Sequence, residues 1–146
     1  MTTIRLAVAL GAPVATVWTD LADLGSHVEW MSDAESIRFR TEHRDGVGAA
    51  FDCVTKVGPI RLTDRMIVTR WEPPHVMTVA HEGLVTGAGT FRLETLTAGR
   101  SRLCWEEELH FPWWLGGPLG EIVGRPVLAK IWQGNLRRFQ ARFPHP

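Results

Sequence analysis

PWWLGGPLGEIVGRPVLAKIWQGNLRRFQARF, residues Pro112 to Phe143, shows no alternation of apolar and polar positions, and that decides how the rest of the chain is read. From Pro118 to about Arg142, the residues Ile122, Val127, Leu128, Ile131, Trp132, Leu136 and Phe139 form one broad apolar stripe at helical spacing. Pro126 lies inside it, where a proline kinks a helix or marks the start of its regular part. A long helix with so wide an apolar face needs a surface to cover.

The middle of the chain supplies that surface. Thr3 to Leu10 alternates, with Ile4, Leu6, Val8 and Leu10 on one face. Further alternating runs are centred on Ile37, Phe39 and Thr41; on Phe51, Cys53, Thr55 and Val57; and on Ile60, Leu62, Asp64, Met66, Val68 and Arg70. Met77, Val79 and His81 follow, then Val85 to Leu93, then Leu103 to Phe111. Turns at Asp45-Gly46, Gly58-Pro59, Gly83 and Ala98-Gly99 are short, so sequential strands pair. The second face carries Arg61, Thr63, Arg65, Thr78, Arg92, Glu106 and Glu108, as in an antiparallel sheet covered on one side only. ALGAPVATVWTDLADLGSHVEW, residues Ala9 to Trp30, interposes two short helices after the first strand. Pro13 suits a first helical position. Ser26 with Glu29 reads as a capping box opening the second helix, which carries Val28, Trp30 and Met31. The expected architecture is α+β: a curved antiparallel sheet of six to seven strands wrapped around one long C-terminal helix, in a single domain over 1–146.

Sixteen basic and sixteen acidic residues give zero formal net charge, which leaves no electrostatic footprint for nucleic acid. No apolar run approaches membrane-spanning length, so no stable insertion is expected. Cys53 and Cys104 match neither a zinc template nor a redox pair, and read as free thiols of a reducing, cytoplasmic compartment. No cluster of His, Asp, Glu and Cys has metal-ligand spacing, so no metal and no other cofactor is expected. Seven Trp and no Tyr suit half-polar pocket walls and rims.

In this order, Ala12-Pro13 before Val17-Trp18, then Trp30, LTDRMIVTRWEPP (62–74), GLVTGAGTFRLE (83–94), SRLCWEEELHFP (101–112) and RPVLAKI (125–131) resemble the START-like helix-grip superfamily. That superfamily includes the birch-pollen-allergen-like proteins, and within it the chain is similar to the bacterial polyketide cyclase/dehydrase branch. The resemblance spans nearly the whole chain. It implies a ligand cavity between sheet and long helix and no single reaction, because members include cyclases, aromatases, lipid carriers and receptors.

The inward phase places Phe51, Met66, Arg70, Met77, Phe91 and Trp105 of the sheet, with Trp30, Leu128, Ile131, Asn135 and Phe139, around such a cavity as candidate ligand contacts. His27 and Trp30 fall where relatives carry a lid, and read here as packing of the second helix. Four ionisable residues share the dry face: Asp64, Arg70, His81 and Glu107. His81 pairs beside Met66, a diagonal step from Asp64, so Asp64 can orient it as a general base. Glu107 lies by register near Arg70, where it makes a structural ion pair or anchors a ligand's polar end. His81, Asp64 and Glu107 are therefore the candidate catalytic residues, against a solvated or merely hydrogen-bonded rim as the plain alternative. Gly87 and Gly89 deepen the cavity or mark a bulge. Trp113 and Trp114 pack over the mouth, with a membrane interface as the alternative. The leading function is binding of a polyketide-like, aromatic or lipid-like molecule by a monomer or homodimer, with cyclisation or dehydration as its enzymatic version. A non-catalytic carrier or sensor is the second class. An interaction module with a collapsed cavity is the third.

Overall fold

The computed structural model describes residues 1–144. Seven strands form one antiparallel sheet: β1 (Thr2–Leu10), β2 (Ala34–Phe39), β3 (Ala50–Val57), β4 (Ile60–Glu72), β5 (Val76–Glu82), β6 (Thr86–Thr97) and β7 (Arg100–His110). Their order is β1-β7-β6-β5-β4-β3-β2. Strands β2 to β7 are a meander, joined by short turns except for the longer connection 40–49 between β2 and β3, and β1 closes the far edge by pairing with β7, Leu6 opposite Trp105. Helix α1 (Val14–Leu21) and a short 3-10 helix (Leu24–Glu29) follow β1. Helix α2 (Gly117–Gln140) crosses the concave face. This is the helix-grip α+β fold.

Local chemistry explains most of these boundaries. Pro13 caps α1 from an extended conformation, and Val17, Trp18 and Leu21 bury its apolar face. Gly116, with φ of 91°, makes the left-handed corner that turns the chain into α2, a conformation costly for a side-chain-bearing residue. The helix continues through Pro126. Its C-terminal half is held by polar contacts as well as by packing. Buried Asn135 accepts from the Ser32 amide at 3.0 Å and donates to Asp33 Oδ1 at 2.7 Å, and Trp132 Nε1 donates to Asp33 Oδ2 at 2.9 Å. Arg138 Nε donates to the Trp30 carbonyl at 3.0 Å.

Three local expectations are corrected. The turn after α1 is a 3-10 helix that begins before Ser26, and Ser26 Oγ donates back to the Asp23 carbonyl, so the capping box does not form. A register shift between Val68 and Arg70 inserts Thr69 as an extra residue. Beyond that bulge the phase inverts, which turns Arg70 out to a Glu72 ion pair and Trp71 in against Trp18. Trp113 and Trp114 do not plug a cavity: they are 86% and 49% exposed.

Candidate functional site

The concave face and the first half of α2 enclose a cavity of about 440 Å³, within the range of small-molecule sites. Phe51, Met66, Val79, Phe91 and Trp105 form its sheet wall, and Val123, Val127, Leu128 and Trp132 its helix wall. His27, Met31 and Asp33 contribute from the segment after α1. Ile60, Val123 and Val127 line the cavity and are also exposed, so they mark its mouth.

Not every expected contact reaches this space. Phe51, Met66, Phe91, Trp105 and Leu128 line it; Trp30, Arg70, Met77, Ile131, Asn135 and Phe139 do not. Arg70 is removed by the β4 bulge. Trp30 and Phe139 pack against each other at a tilt, with ring centroids 4.8 Å apart, and Trp30 also meets Phe91 and Trp105 edge-on. They are the packed floor behind the wall. Met77 is fully buried opposite Trp71, Ile131 packs against the core, and Asn135 is consumed by Ser32 and Asp33. Asp33, His27 and Cys53 on the wall were not among the expected site residues. The inward phase of Cys53 and the place of His27 in the segment after α1 were the available signals, whereas Asp33 stands in a turn between elements. Burial pushes the Cys53 thiol up to about 11, which keeps it un-ionised and a poor nucleophile. Burial lowers the pKa of His27, whose Nε2 contacts the Leu21 carbonyl at 2.7 Å.

The three ionisable candidates all lie on the cavity wall. Their pairing differs from the expectation. His81 Nε2 contacts Glu107 Oε2 at 2.9 Å. A carboxylate oxygen accepts, so Nε2 carries the proton in this contact. Glu107 Oε1 accepts from Trp105 Nε1 at 3.0 Å. Glu107 therefore meets His81 and not Arg70, and His81 is oriented by Glu107 and not by Asp64. The reason is glycine. Strands β5 and β7 are separated by β6, where Gly87 faces His81 and Gly89 faces Glu107. With no side chains on those two residues, Glu107 reaches across β6 to a strand about 10 Å away. A Cβ on Gly89 would stand 2.2 Å from Glu107 Oε1.

Burial is the largest influence on His81 and opposes its charged form. The charge and hydrogen bond of Glu107, with the more distant charge of Asp64, together outweigh it and raise His81 above 6.5. Burial also raises Asp64 above 3.8; His81 pulls it down and Glu107 pushes it further up. Because the folded value of His81 exceeds the unfolded one, the pair's stabilisation is complete below 6.5 and is lost as pH rises through the folded value. Asp64 has the same sign: folding favours its protonated form, so stability declines as pH rises from 3.8 through its raised value. Denaturant unfolding from about pH 6 to about pH 9 should show the wild type losing stability relative to His81→Gln. Parallel profiles would mean that the pair does not couple to folding.

Chemically, the wall offers an imidazole oriented by Glu107, with the Asp64 carboxyl nearby, in a largely apolar surround. Among the described residues no group of three or more His, Cys, Asp and Glu could hold a metal ion, and no helix is long and apolar enough to cross a membrane. A family model described as "Polyketide cyclase / dehydrase and lipid transport" matches residues 1–144. No curated protein matches the sequence. Among solved structures, the Zhui aromatase/cyclase from Streptomyces sp. R1128 superposes with a TM-score of 0.79 at 16% identity, over 97% of this chain and 92% of that one. The protein XoxI from Bacillus cereus gives 0.76 at 14% identity, over 98% and 96%. The di-domain aromatase/cyclase StfQ of the steffimycin biosynthetic pathway gives 0.74 at 18%, over 95% of this chain and 49% of that one. At these identities the likeness is one of fold.

Proposed function

The chain belongs to the polyketide cyclase / dehydrase and lipid transport family, and from that premise we propose that it binds a hydrophobic small molecule between sheet and α2 and promotes its cyclisation or dehydration through His81. One observation carries this reading: an apolar cavity of about 440 Å³ with a buried His81–Glu107 pair on its wall. Two structural neighbours, Zhui and StfQ, are aromatase/cyclases, which supports the reaction class.

In the proposed reaction, neutral His81 takes a proton from the carbon beside a substrate carbonyl at Nδ1, while Glu107 steadies the imidazolium through Nε2. The carbanion attacks a second carbonyl of the same chain, forming the ring bond and an alkoxide. The imidazolium returns the proton to that oxygen. In the loss of water, neutral His81 takes a second carbon-bound proton while the Asp64 carboxyl protonates the departing hydroxyl, and the imidazolium then returns a proton to the Asp64 carboxylate. The apolar walls exclude competing water. A carrier that holds its ligand without reaction is the second reading, favoured by how few polar residues line the cavity. The open cavity speaks against a collapsed interaction module.

Native mass spectrometry of the purified protein should detect a co-purifying apolar molecule. Leu128→Trp, which fills the cavity from the helix side, should remove both that adduct and the binding of an added apolar dye. Unchanged dye binding by Leu128→Trp would reject the cavity as the binding site.

A further inference from the structure

Eleven large apolar side chains are exposed among the described residues, and nine of them gather at the end of the sheet from which α2 starts. Val47 and Leu96 alone stand at the other end. The β3–β4 turn, the β5–β6 turn and the exit of β7 meet at the populated end, since Val57 pairs with Ile60, Glu82 with Thr86, and Thr86 with His110. The two turns present Ile60 and Leu84, and the indoles of Trp113 and Trp114 follow β7. Leu119, Ile122, Val123 and Val127 then recur at spacings of three and four, so the front of α2 carries an exposed apolar stripe. Ile60, Val123 and Val127 also rim the cavity mouth, which makes patch and opening continuous. A contiguous exposed patch of this kind marks an interaction surface.

The charges around the patch have one prevailing sign. Glu121, the acid at the front of α2, is buried, and its Oε1 lies 3.2 Å from the N-terminal amine. Arg125 and Lys130 are exposed on the same half of the helix, and Lys56 is exposed beside the β3–β4 turn. None of these three cations is in an ion pair among the described residues. Arg61, on the same turn, is taken by Glu35 at 2.7 Å. Glu82 is the exposed acid that flanks the β5–β6 turn. Three cations against one acid, around paired indoles and an aliphatic stripe, match the layers of a bilayer surface. Indoles settle at the boundary of apolar and polar layers, and basic residues beside them meet anionic headgroups. A second copy docked on the same face would bring cations toward cations.

We infer that this end of the molecule docks peripherally on an anionic lipid surface, with the cavity mouth turned toward the headgroups. The attachment is shallow and reversible: the exposed stripe enters the interface, and no described helix is long and apolar enough to cross. It does not depend on whether chemistry takes place in the cavity.

Flotation with phosphatidylglycerol vesicles, against phosphatidylcholine vesicles, tests the inference. At low salt the wild type should bind phosphatidylglycerol at least about tenfold tighter, and the preference should fade near 1 M salt. Trp113→Ser/Trp114→Ser should weaken phosphatidylglycerol binding about tenfold or more. Neither indole lines the cavity, so this variant should still bind an added apolar dye, which also reports that it is folded. Arg125→Gln/Lys130→Gln should weaken phosphatidylglycerol binding about tenfold and leave phosphatidylcholine binding unchanged. Absence of the wild type from floated phosphatidylglycerol vesicles, or equal binding by the Trp113→Ser/Trp114→Ser variant, overturns the inference. So does a wild-type dimer that the same variant dissociates while vesicles remain unbound, which would assign the patch to a second copy. A wild type that floats but binds no dye would overturn the cavity function and leave the docking surface standing.

Discussion

Turnover of a cyclisation substrate should fall about a hundredfold or more in His81→Ala, the usual share of a positioned general base. Glu107→Gln should produce a comparable loss by a different route. The amide keeps the side chain's shape and an oxygen for Trp105 Nε1, but it removes the charge that raises His81. Burial, opposed only by the more distant charge of Asp64, then disfavours the His81 imidazolium, so its pKa drops. The two variants separate in the pH profile. His81→Ala should lose the limb that reports the imidazole. Glu107→Gln should retain that limb, moved to lower pH. Asp64→Ala should also slow turnover, with the imidazole limb still present, because Asp64 makes no hydrogen bond to His81. Wild-type rates in both His81→Ala and Glu107→Gln would remove the chemistry from this cluster. Tight binding by the wild type with no turnover would favour the carrier.

The strands and helices were legible in the chain because each is a long periodic signal with a short turn beside it. The inward phase of β3, β5, β6 and β7 follows directly from alternation, and it brings Phe51, Phe91, Trp105, His81 and Glu107 to one face. Alternation fails where one residue is inserted. Thr69 is such a residue, and nothing in VTRWEPP distinguishes a bulge from a continuing strand, so Arg70 and Trp71 exchange faces. The partner of His81 was hidden for another reason. Counting neighbours through turns leads from His81 to Met66 and Asp64 on β4, one strand away. Glu107 lies two strands away in the other direction, and contact across that gap exists only because the residues between are glycines. The paired glycines were visible, but their effect depends on curvature and side-chain reach, which a linear pattern does not carry. Depth was equally hidden: Trp30 and Phe139 share the phase of the cavity wall yet sit behind it, filling space that Phe91 and Trp105 leave.

Gly89→Ala should cost about 3 kcal/mol of folding stability, the scale of a broken buried ion pair. Alanine is otherwise acceptable in a strand and costs less backbone entropy than glycine, so a loss of this size needs a steric cause. That cause is the Glu107 carboxylate, whose Oε1 and Cδ lie 2.2 Å and 2.7 Å from the new methyl position. A free side chain would swing away cheaply. Glu107 is pinned at Oε1 by Trp105 and at Oε2 by His81, so moving it abandons both bonds inside an apolar wall. Three readings follow from one displacement. Stability drops at neutral pH, the decline of stability above 6.5 flattens, and the His81 ring titrates at lower pH by NMR because its counter-charge has left. Gly87→Ala is not an equivalent test, since its methyl would meet the Glu108 carbonyl oxygen at 1.7 Å and disturb backbone directly. A double-mutant cycle isolates the contact. In a Glu107→Ala background the added methyl has room, and Gly89→Ala should become nearly neutral. If the methyl costs the same in both backgrounds, Gly89 is not there to admit Glu107, and the link between the glycine strand and the acid–base pair is wrong.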